Sequence, residues 1–233
     1  INKTTEIATS SREMKAKEIE MAEKRGVHPH EIVVAYDGIA VIVHHANPID
    51  RLSIDELHDI FTGKITNWKS LGGSDLPIVT LSREVSSGTH MYFKEVVVQL
   101  NKKGSTEEFS KETLLLTSSQ AIVEEVANNV GAIGYLGMGY LSDRTKALLV
   151  GKSANMGAEQ AVHDSPLLRF FPPTVENVIN KTYPLSRPLY LYTDGQPQGI
   201  VKLFVDYALG PVGQTRFKAT GFVPVGATLD PEI

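Results

Sequence analysis

The sequence of 233 residues contains no cysteine, which excludes disulfide bonds and thiol catalysis but says little about the compartment. It has no apolar run long enough to span a bilayer and no signal-peptide pattern. Basic residues are not clustered and the formal net charge is -4, which argues against a nucleic-acid-binding surface. A hydrophobic content of 42% with 21% charged residues indicates a globular chain that can bury one large core or two modest ones.

The most informative stretch is a hydroxyl-rich loop that follows the apolar run at residues 76–81 and precedes a predicted helix. It contains Ser87, Gly88 and Thr89, with Arg83 a few residues earlier. The start of a helix presents unpaired N–H groups and a positive dipole end, which attract anions. Hydroxyls donate hydrogen bonds, glycine allows close approach to the backbone, and the arginine fork suits a tetrahedral oxyanion. The loop is therefore a candidate anion-binding site.

A purely structural interpretation of this loop remains open. A serine or threonine before a helix is most often an N-cap, and Arg83 can be an ordinary surface charge. The spacing alone favours neither interpretation.

Asp37 lies between two runs rich in valine and isoleucine, at residues 31–36 and 38–44. A carboxylate is costly to bury there, so we expect it to have a partner or a purpose. Phosphate near neutral pH still carries a proton that a carboxylate can accept, whereas ionised sulfate has no proton to donate. Asp37 is thus a candidate acceptor for a ligand proton. The alternative is that Asp37 and Gly38 form a turn between two strands.

Four histidines, His28, His30, His44 and His45, do not form a convincing metal site. Adjacent strand residues point to opposite faces, and no cysteine or spaced carboxylate motif accompanies the histidines.

Helix-start signals alternate with strand-like runs along the chain. Ser10 with Glu13, and Ser53 with Glu56, have capping-box spacing, and each predicts a helix that begins at its serine. This alternation indicates an α/β fold with mixed sheets. Trp68, the only tryptophan, is interpreted as a core residue or as part of a surface for a partner protein, and the core interpretation is favoured.

Several motifs, taken in order, resemble the periplasmic phosphate-binding proteins, which are the substrate-binding components of phosphate ABC transporters. The resemblance extends from about Thr5 to about Pro224, and residues 151–171, which fit least, are interpreted as an insertion of unknown role. The motifs are Arg83 followed by Ser86-Ser87-Gly88-Thr89, and the stretches at residues 37–43, 60–68 with Gly72-Gly73, 131–135 and 183–190.

The resemblance implies a two-lobed periplasmic-binding-protein fold, type II-like, with mixed sheets and a ligand cleft between the lobes. One lobe is expected to be continuous, at residues 38–135, and the other to be split, at residues 1–37 and 136–233. Family members carry a further strand-helix-strand-helix portion before the segment that matches Ser10 and Ser11. Since the chain begins at Ile1, the split lobe is expected to be incomplete on its N-terminal side.

The function that the resemblance implies is extracytoplasmic binding of inorganic phosphate for delivery to a membrane permease. Arg83, Ser87, Gly88 and Thr89 are expected to hold the phosphate oxygens, and Asp37 to accept the remaining proton. Ser11, and with it Ser10, are the expected donors from the other lobe, although both can instead cap a helix.

Further expectations concern partners and location. The protein is expected to be a monomer in the periplasm or on the cell surface, with its signal or anchor segment absent from this chain. We expect no catalysis, cofactor, metal or nucleic acid.

Two other functions are retained. The first is an enzyme that processes phosphate esters, which would need a nucleophile with a base or paired metals. His90 lies beside the loop, but no acid partner is identifiable and the Gly-x-Ser-x-Gly elbow is absent. The second is a phosphate sensor without a transport role.

Overall fold

The computed structural model describes residues 4–152 and 169–226. Most of the segment interpreted as an insertion, residues 153–168, therefore lies outside the described residues. The strands of the described part are β1 (Ile7–Ser10), β2 (Pro29–Val43), β3 (Arg51–Ser53), β4 (Val79–Arg83), β5 (Leu114–Leu116), β6 (Ala132–Gly137), β7 (Lys146–Ala147), β8 (Leu149–Gly151), β9 (Phe170–Phe171), β10 (Ser186–Asp194) and β11 (Val223–Pro224).

The helices of the same residues lie between these strands. They are α1 (Ala16–Glu23), α2 (Ile54–Phe61), α3 (Gly88–Phe93), α4 (Ser119–Asn128), α5 (Val175–Ile179), α6 (Gly199–Leu209) and α7 (Pro211–Ala219). A π-helical turn, Lys94–Val98, continues α3, and Trp68–Leu71 and Met138–Tyr140 are short 3₁₀ turns.

Contacts within the chain define two compact units. Unit 1 comprises Ile1–Asp37 and Arg187–Ile233, and unit 2 comprises Gly38–Ser186. The expected lobes differ from these units, because residues 136–186 group with unit 2 and not with the split part. The reason is strand pairing: β7 pairs with β2, and β8 pairs in parallel with β3, which ties these residues to the preceding part of unit 2.

Unit 1 is built on strands β1, β10 and the first part of β2, in that order, with β11 also paired to β2. Strands β1 and β10 are antiparallel, with Ile7 opposite Thr193 and Ser10 opposite Tyr190. Helix α6 contributes Val205 to the core, because its apolar residues recur at helical spacing. The core comprises Val34, Leu191, Val205 and Ala208, with Ile7, Ile32, Leu189 and Phe217 partly buried against it.

Unit 2 contains a mixed sheet in the order β2, β6, β4, β5. Strands β2 and β6 are antiparallel, whereas β4 is parallel to both β6 and β5. Gly134 lets α4 lie close to β6, since a Cβ there would be 2.5 Å from Ile122 Cγ2. The core beneath α4 comprises Ala40, Ile42, Leu81, Ile122, Val123, Val126, Ala132 and Leu136. A second sheet of this unit has the order β3, β8, β9.

The chain does not turn at Asp37 and Gly38. Strand β2 runs without interruption from Pro29 to Val43, so the interpretation of Asp37 as a turn-forming residue is wrong. The glycine has another reason to be there: a Cβ at Gly38 would be 2.7 Å from Met138 Sδ. Gly38 therefore allows close packing within a continuous strand.

Helix α1 begins later than its apparent capping box predicted. Ser10 is the last residue of β1, and the N-cap of α1 is Lys15. Glu18, not Glu13, bonds back to the N-cap, through a 2.8 Å hydrogen bond from the Lys15 N–H to Glu18 Oε2. The helix-capping interpretation of Ser10 and Ser11 is therefore wrong.

The second predicted capping box is confirmed at the start of α2. Ser53 Oγ accepts a hydrogen bond from the Glu56 N–H at 3.1 Å, and the Ser53 N–H donates to Glu56 Oε2 at 2.7 Å. Trp68 is also in the core as predicted: it is buried, and its Nε1–H donates to the Gly131 carbonyl at 3.0 Å.

Replacement of Ser53 by alanine is expected to destabilise unit 2 by about 1 kcal/mol, because the cap of α2 loses its acceptor. Urea unfolding followed by circular dichroism measures the change. Ser74→Ala, at an exposed position in the same unit, is the control and is expected to leave the midpoint unchanged. Equal midpoints for the two variants would contradict a stabilising cap.

Candidate anion-binding site

The hydroxyl-rich loop connects the end of β4 to the start of α3. Ser87 is the N-cap of α3, and its Oγ accepts a hydrogen bond from the Thr89 N–H at 3.3 Å. A second bond, from the Ser87 N–H to the Glu84 carbonyl at 2.9 Å, closes the turn. The N-cap interpretation of Ser87 is therefore correct. Capping uses only an acceptor lone pair of the hydroxyl, so its O–H can still act as a donor.

Arg83, the last residue of β4, is half-buried and is held against the start of α4. Its Nη1 donates to Ser119 Oγ at 3.2 Å and its Nη2 donates to the Thr117 carbonyl at 3.1 Å. The Nε atom is buried and has no hydrogen-bond partner among the described residues. Two fixed bonds and one buried donor are not the properties of an ordinary surface charge.

A buried hydrogen-bond network lies next to the loop and connects side chains of β4, α3 and β6. Ser82 Oγ lies 2.9 Å from His90 Nδ1 and 2.6 Å from the Tyr135 hydroxyl, and Ser82 is fully buried. Burial lowers the pKa of His90 and raises the pKa of Tyr135, so both are neutral near pH 7. The Tyr135 ring stacks on Phe93, with centroids 3.6 Å apart. The network thus joins β4, α3 and β6.

This network was not predicted from the sequence, although Ser82 and His90 flank the loop. The contact also brings a serine and a histidine together, as a nucleophile and its base would be. Because the Ser82 hydroxyl is already bonded to both His90 Nδ1 and the Tyr135 hydroxyl, we interpret the pair as structural.

In unit 1, Asp37 is buried in an ion pair with Arg187. Asp37 Oδ2 accepts from Arg187 Nη2 at 3.0 Å and from Nε at 3.3 Å, and the two residues are 3% and 6% exposed. The other carboxylate oxygen, Oδ1, is buried without a hydrogen-bond partner in the described part of the chain. Burial raises the pKa of Asp37, and Arg187 opposes that rise.

Arg187 was not among the predicted site residues. A usable signal existed, because Arg187 lies between Leu185 and Leu189 in an apolar, strand-like run. The expectation applied to Asp37, that a charge in such a run has a partner, applies equally to Arg187.

The two predicted serines lie at the end of β1. Ser10 Oγ donates to the Arg12 carbonyl at 2.7 Å and accepts from the Arg12 N–H at 3.3 Å, so this hydroxyl closes a local turn. Ser11 follows in a half-buried position. The Ser11 hydroxyl, in contrast, takes no part in this turn.

The predicted residues are divided between the two units. In unit 2, Arg83, Ser87, Gly88 and Thr89 lie together at the β4–α3 junction. In unit 1, Ser10 pairs with Tyr190 of β10, and Asp37 is bonded to Arg187 of the same strand.

The described residues include no cluster of three metal-ligating side chains. No helix among them is long and apolar enough to cross a bilayer.

Comparison with known proteins identifies the family. A model of the PBP superfamily domain matches residues 1–212, so the chain belongs to this superfamily. The resemblance to phosphate-binding proteins and the predicted α/β fold class are confirmed.

Curated and solved relatives support the same assignment. Protein SphX of Synechococcus elongatus is 32% identical, over 97% of this chain and 65% of its own length. The phosphate-binding protein PstS of Borreliella burgdorferi is 28% identical, over 96% of this chain and 74% of its own length. The structure of an ABC-type phosphate transport receptor from Vibrio cholerae has a TM-score of 0.75 at 27% identity, covering 94% of this chain and 80% of that one. The chain thus spans slightly less than two thirds of the length of SphX.

A surface ion pair lies next to the two serines. Arg12 Nη1 and Nη2 donate to the two carboxylate oxygens of Glu18, each at 2.8 Å. These hydrogen bonds, with one from the Lys15 N–H, lower the pKa of Glu18 from 4.5 to about 2. Because the folded-state pKa lies below the unfolded one, the pair stabilises the fold above about pH 4.5, and this contribution is lost as the pH falls toward 2.

Replacement of Arg12 by methionine is expected to raise the pKa of Glu18 toward its ordinary value, because the arginine hydrogen bonds are its main perturbation. Carboxyl ¹³C NMR titration measures the change. Arg216→Met, on exposed α7, is the control and is expected to leave Glu18 unaltered. A Glu18 titration midpoint that stays near 2 in the Arg12 variant would contradict this explanation.

Proposed function

We propose that this chain binds inorganic phosphate reversibly, as the extracytoplasmic substrate-binding component of a phosphate ABC transporter. The observation that carries the proposal is a pair of buried, unpartnered atoms. Among the described residues, three side-chain atoms are buried without a hydrogen-bond partner: the donor Arg83 Nε, the acceptor Asp37 Oδ1, and Thr145 Oγ1, which lies outside the predicted site. Such atoms are rare in folded proteins and call for an explanation, and the first two belong to residues that sequence motifs had already singled out.

Monohydrogen phosphate can form hydrogen bonds with both the buried donor and the buried acceptor. Its unprotonated oxygens accept hydrogen bonds from arginine N–H groups and serine hydroxyls, and its P–OH group donates one to a carboxylate. Sulfate at neutral pH offers oxygens only, so it would leave Asp37 Oδ1 unpaired and repelled. The combination of a cationic donor and an anionic acceptor therefore favours a protonated oxyanion.

The proposed ligand contacts follow from these roles. Arg83 and the loop at the start of α3 bind the unprotonated oxygens, and the Asp37 carboxylate accepts the hydrogen bond that the P–OH group donates. Ser11 is an additional donor, and Ser10 positions it through the turn with Arg12. The full set of proposed contacts is Arg83, Ser87, Gly88, Thr89, Ser10, Ser11 and Asp37.

The PstS relative is a phosphate-binding protein, and the Vibrio cholerae relative is an ABC-type phosphate transport receptor. By analogy, the partner of this chain is a membrane permease, the location is periplasmic or at the cell surface, and the protein acts as a monomer. Binding needs no covalent chemistry, and the Ser82 hydroxyl, which is already bonded to both His90 Nδ1 and the Tyr135 hydroxyl, is not placed as a free nucleophile. The protein is therefore proposed to be a binding protein and not an enzyme.

Arg83→Ala is expected to weaken the binding of every oxyanion, because a charged donor is lost. A hydrogen bond to a charged group contributes roughly 1.5–3 kcal/mol, so the dissociation constant for phosphate is expected to rise about 10- to 100-fold. Isothermal titration calorimetry of the unfolded and refolded chain, free of carried-over ligand, measures this.

Arg216→Ala, at an exposed position of α7, is the matched control and is expected to bind like the wild type. If the Arg83 variant kept wild-type affinity, Arg83 would not be a ligand residue. A folded wild-type chain that binds no phosphate would overturn the proposed function itself.

Asp37→Asn is expected to reduce the preference for phosphate over sulfate, because the amide can donate to an unprotonated oxygen and no longer repels it. Competition titrations with both anions give the ratio of dissociation constants, which is expected to change about tenfold or more. Asp143→Asn, an exposed aspartate, is the control. An unchanged ratio in the Asp37 variant would remove this residue from the acceptor role.

A further inference from the structure

We infer that Arg187 is the positioning residue that determines anion selectivity: it occupies Asp37 Oδ2 and so reserves Oδ1 as the acceptor for a protonated oxyanion. This inference rests on the proposed function and assigns the source of its specificity. Arg187 acts through Asp37 and is not itself proposed to contact the ligand.

The first argument is the geometry of the pair. Two nitrogens of the Arg187 guanidinium, Nε and Nη2, lie 3.3 Å and 3.0 Å from the same oxygen, Asp37 Oδ2. A parallel fork would engage one nitrogen with each carboxylate oxygen and use both acceptors. Here the fork converges on one oxygen, and Oδ1 remains buried without a partner among the described residues. The two oxygens of the carboxylate therefore have different roles.

The second argument is burial. Asp37 and Arg187 are 3% and 6% exposed, so neither charge is stabilised appreciably by bulk water. A buried carboxylate without a cation tends to take up a proton, and a protonated Asp37 could donate a hydrogen bond to sulfate. Arg187 favours the ionised carboxylate, which can only accept. The discrimination against unprotonated oxyanions therefore depends on the arginine.

The third argument is that the chain holds Arg187 in place. Pro188 follows it directly, which restricts the backbone of Arg187 to extended conformations. Just before Arg187 in the chain, the Leu185 carbonyl accepts from the Ile39 N–H at 2.7 Å, and the Tyr183 hydroxyl donates to the Ile39 carbonyl at 2.8 Å. Segments adjacent to both charged residues are thus bonded to each other, which fixes the approach of the guanidinium to the carboxylate.

The test compares Arg187→Lys with the wild type by calorimetric titration of phosphate and sulfate. Lysine keeps the positive charge but lacks the planar fork, so the carboxylate is less constrained. We expect the ratio of sulfate to phosphate dissociation constants to fall several-fold, but less than for Asp37→Asn, because the retained charge still favours the ionised carboxylate. Equal weakening of both anions would indicate a role in folding alone and would overturn the inference.

A second comparison remains informative if loss of the cation alone destabilises the fold. Arg187→Met is combined with Asp37→Asn, which removes the uncompensated buried charge. Because Arg187 acts through the carboxylate, adding Arg187→Met to Asp37→Asn is expected to leave the sulfate-to-phosphate ratio of the Asp37→Asn variant unchanged. A further fall in the ratio would show that Arg187 acts independently of Asp37, which contradicts the inference.

The outcomes separate this inference from the proposed function. A wild-type chain that does not bind phosphate overturns both. A wild-type chain that binds phosphate selectively, together with an Arg187→Lys variant of unchanged selectivity, overturns only the role of Arg187. Lys202→Arg, an exposed substitution on α6, is the control for both anions.

Discussion

The ion pair between Asp37 and Arg187 is the interaction on which the proposed site depends. Either charge alone would be costly to bury, so the two residues are stable only together. Their positions are also special in the chain, which leaves unit 1 directly after Asp37 and returns to it directly before Arg187. The pair therefore joins β2 to β10 at the two points where the chain passes from one unit to the other. In the proposed site, the second oxygen of the same carboxylate accepts a hydrogen bond from the ligand.

The loop at the start of α3 shows that a structural role and a binding role do not exclude each other. Ser87 caps the helix with an acceptor lone pair, while its hydroxyl hydrogen remains a possible donor. Arg83 uses two nitrogens to hold the start of α4, and its third nitrogen is buried without a partner in the part of the chain that the structure describes. Ser82, His90 and Tyr135 form the polar support behind the loop. Anion binding, as proposed, would use groups that the fold has already placed.

Sequence patterns were reliable where one short segment contains all the information. The capping box of Ser53 and Glu56 is an example, because both partners lie within one helical turn. Sequence patterns failed where contacts between distant segments determined the secondary structure. The spacing of Ser10 and Glu13 matched a cap, yet Ser10 was drawn into β1 by pairing with a strand some 180 residues away along the chain. Asp37 and Gly38 looked like a turn, but the close approach of Met138 explains the glycine within a continuous strand.

The sequence by itself determined the α/β class and the family resemblance and singled out the candidate anion loop, because these depend on local spacing and on ordered motifs. Only the tertiary structure decided which charges are paired and which buried atoms lack partners. Arg187 lies 150 residues from Asp37, and no local periodicity links them. The physical reason is that a hydrogen bond between distant residues depends on strand pairing and burial, which the whole fold sets and no single segment encodes.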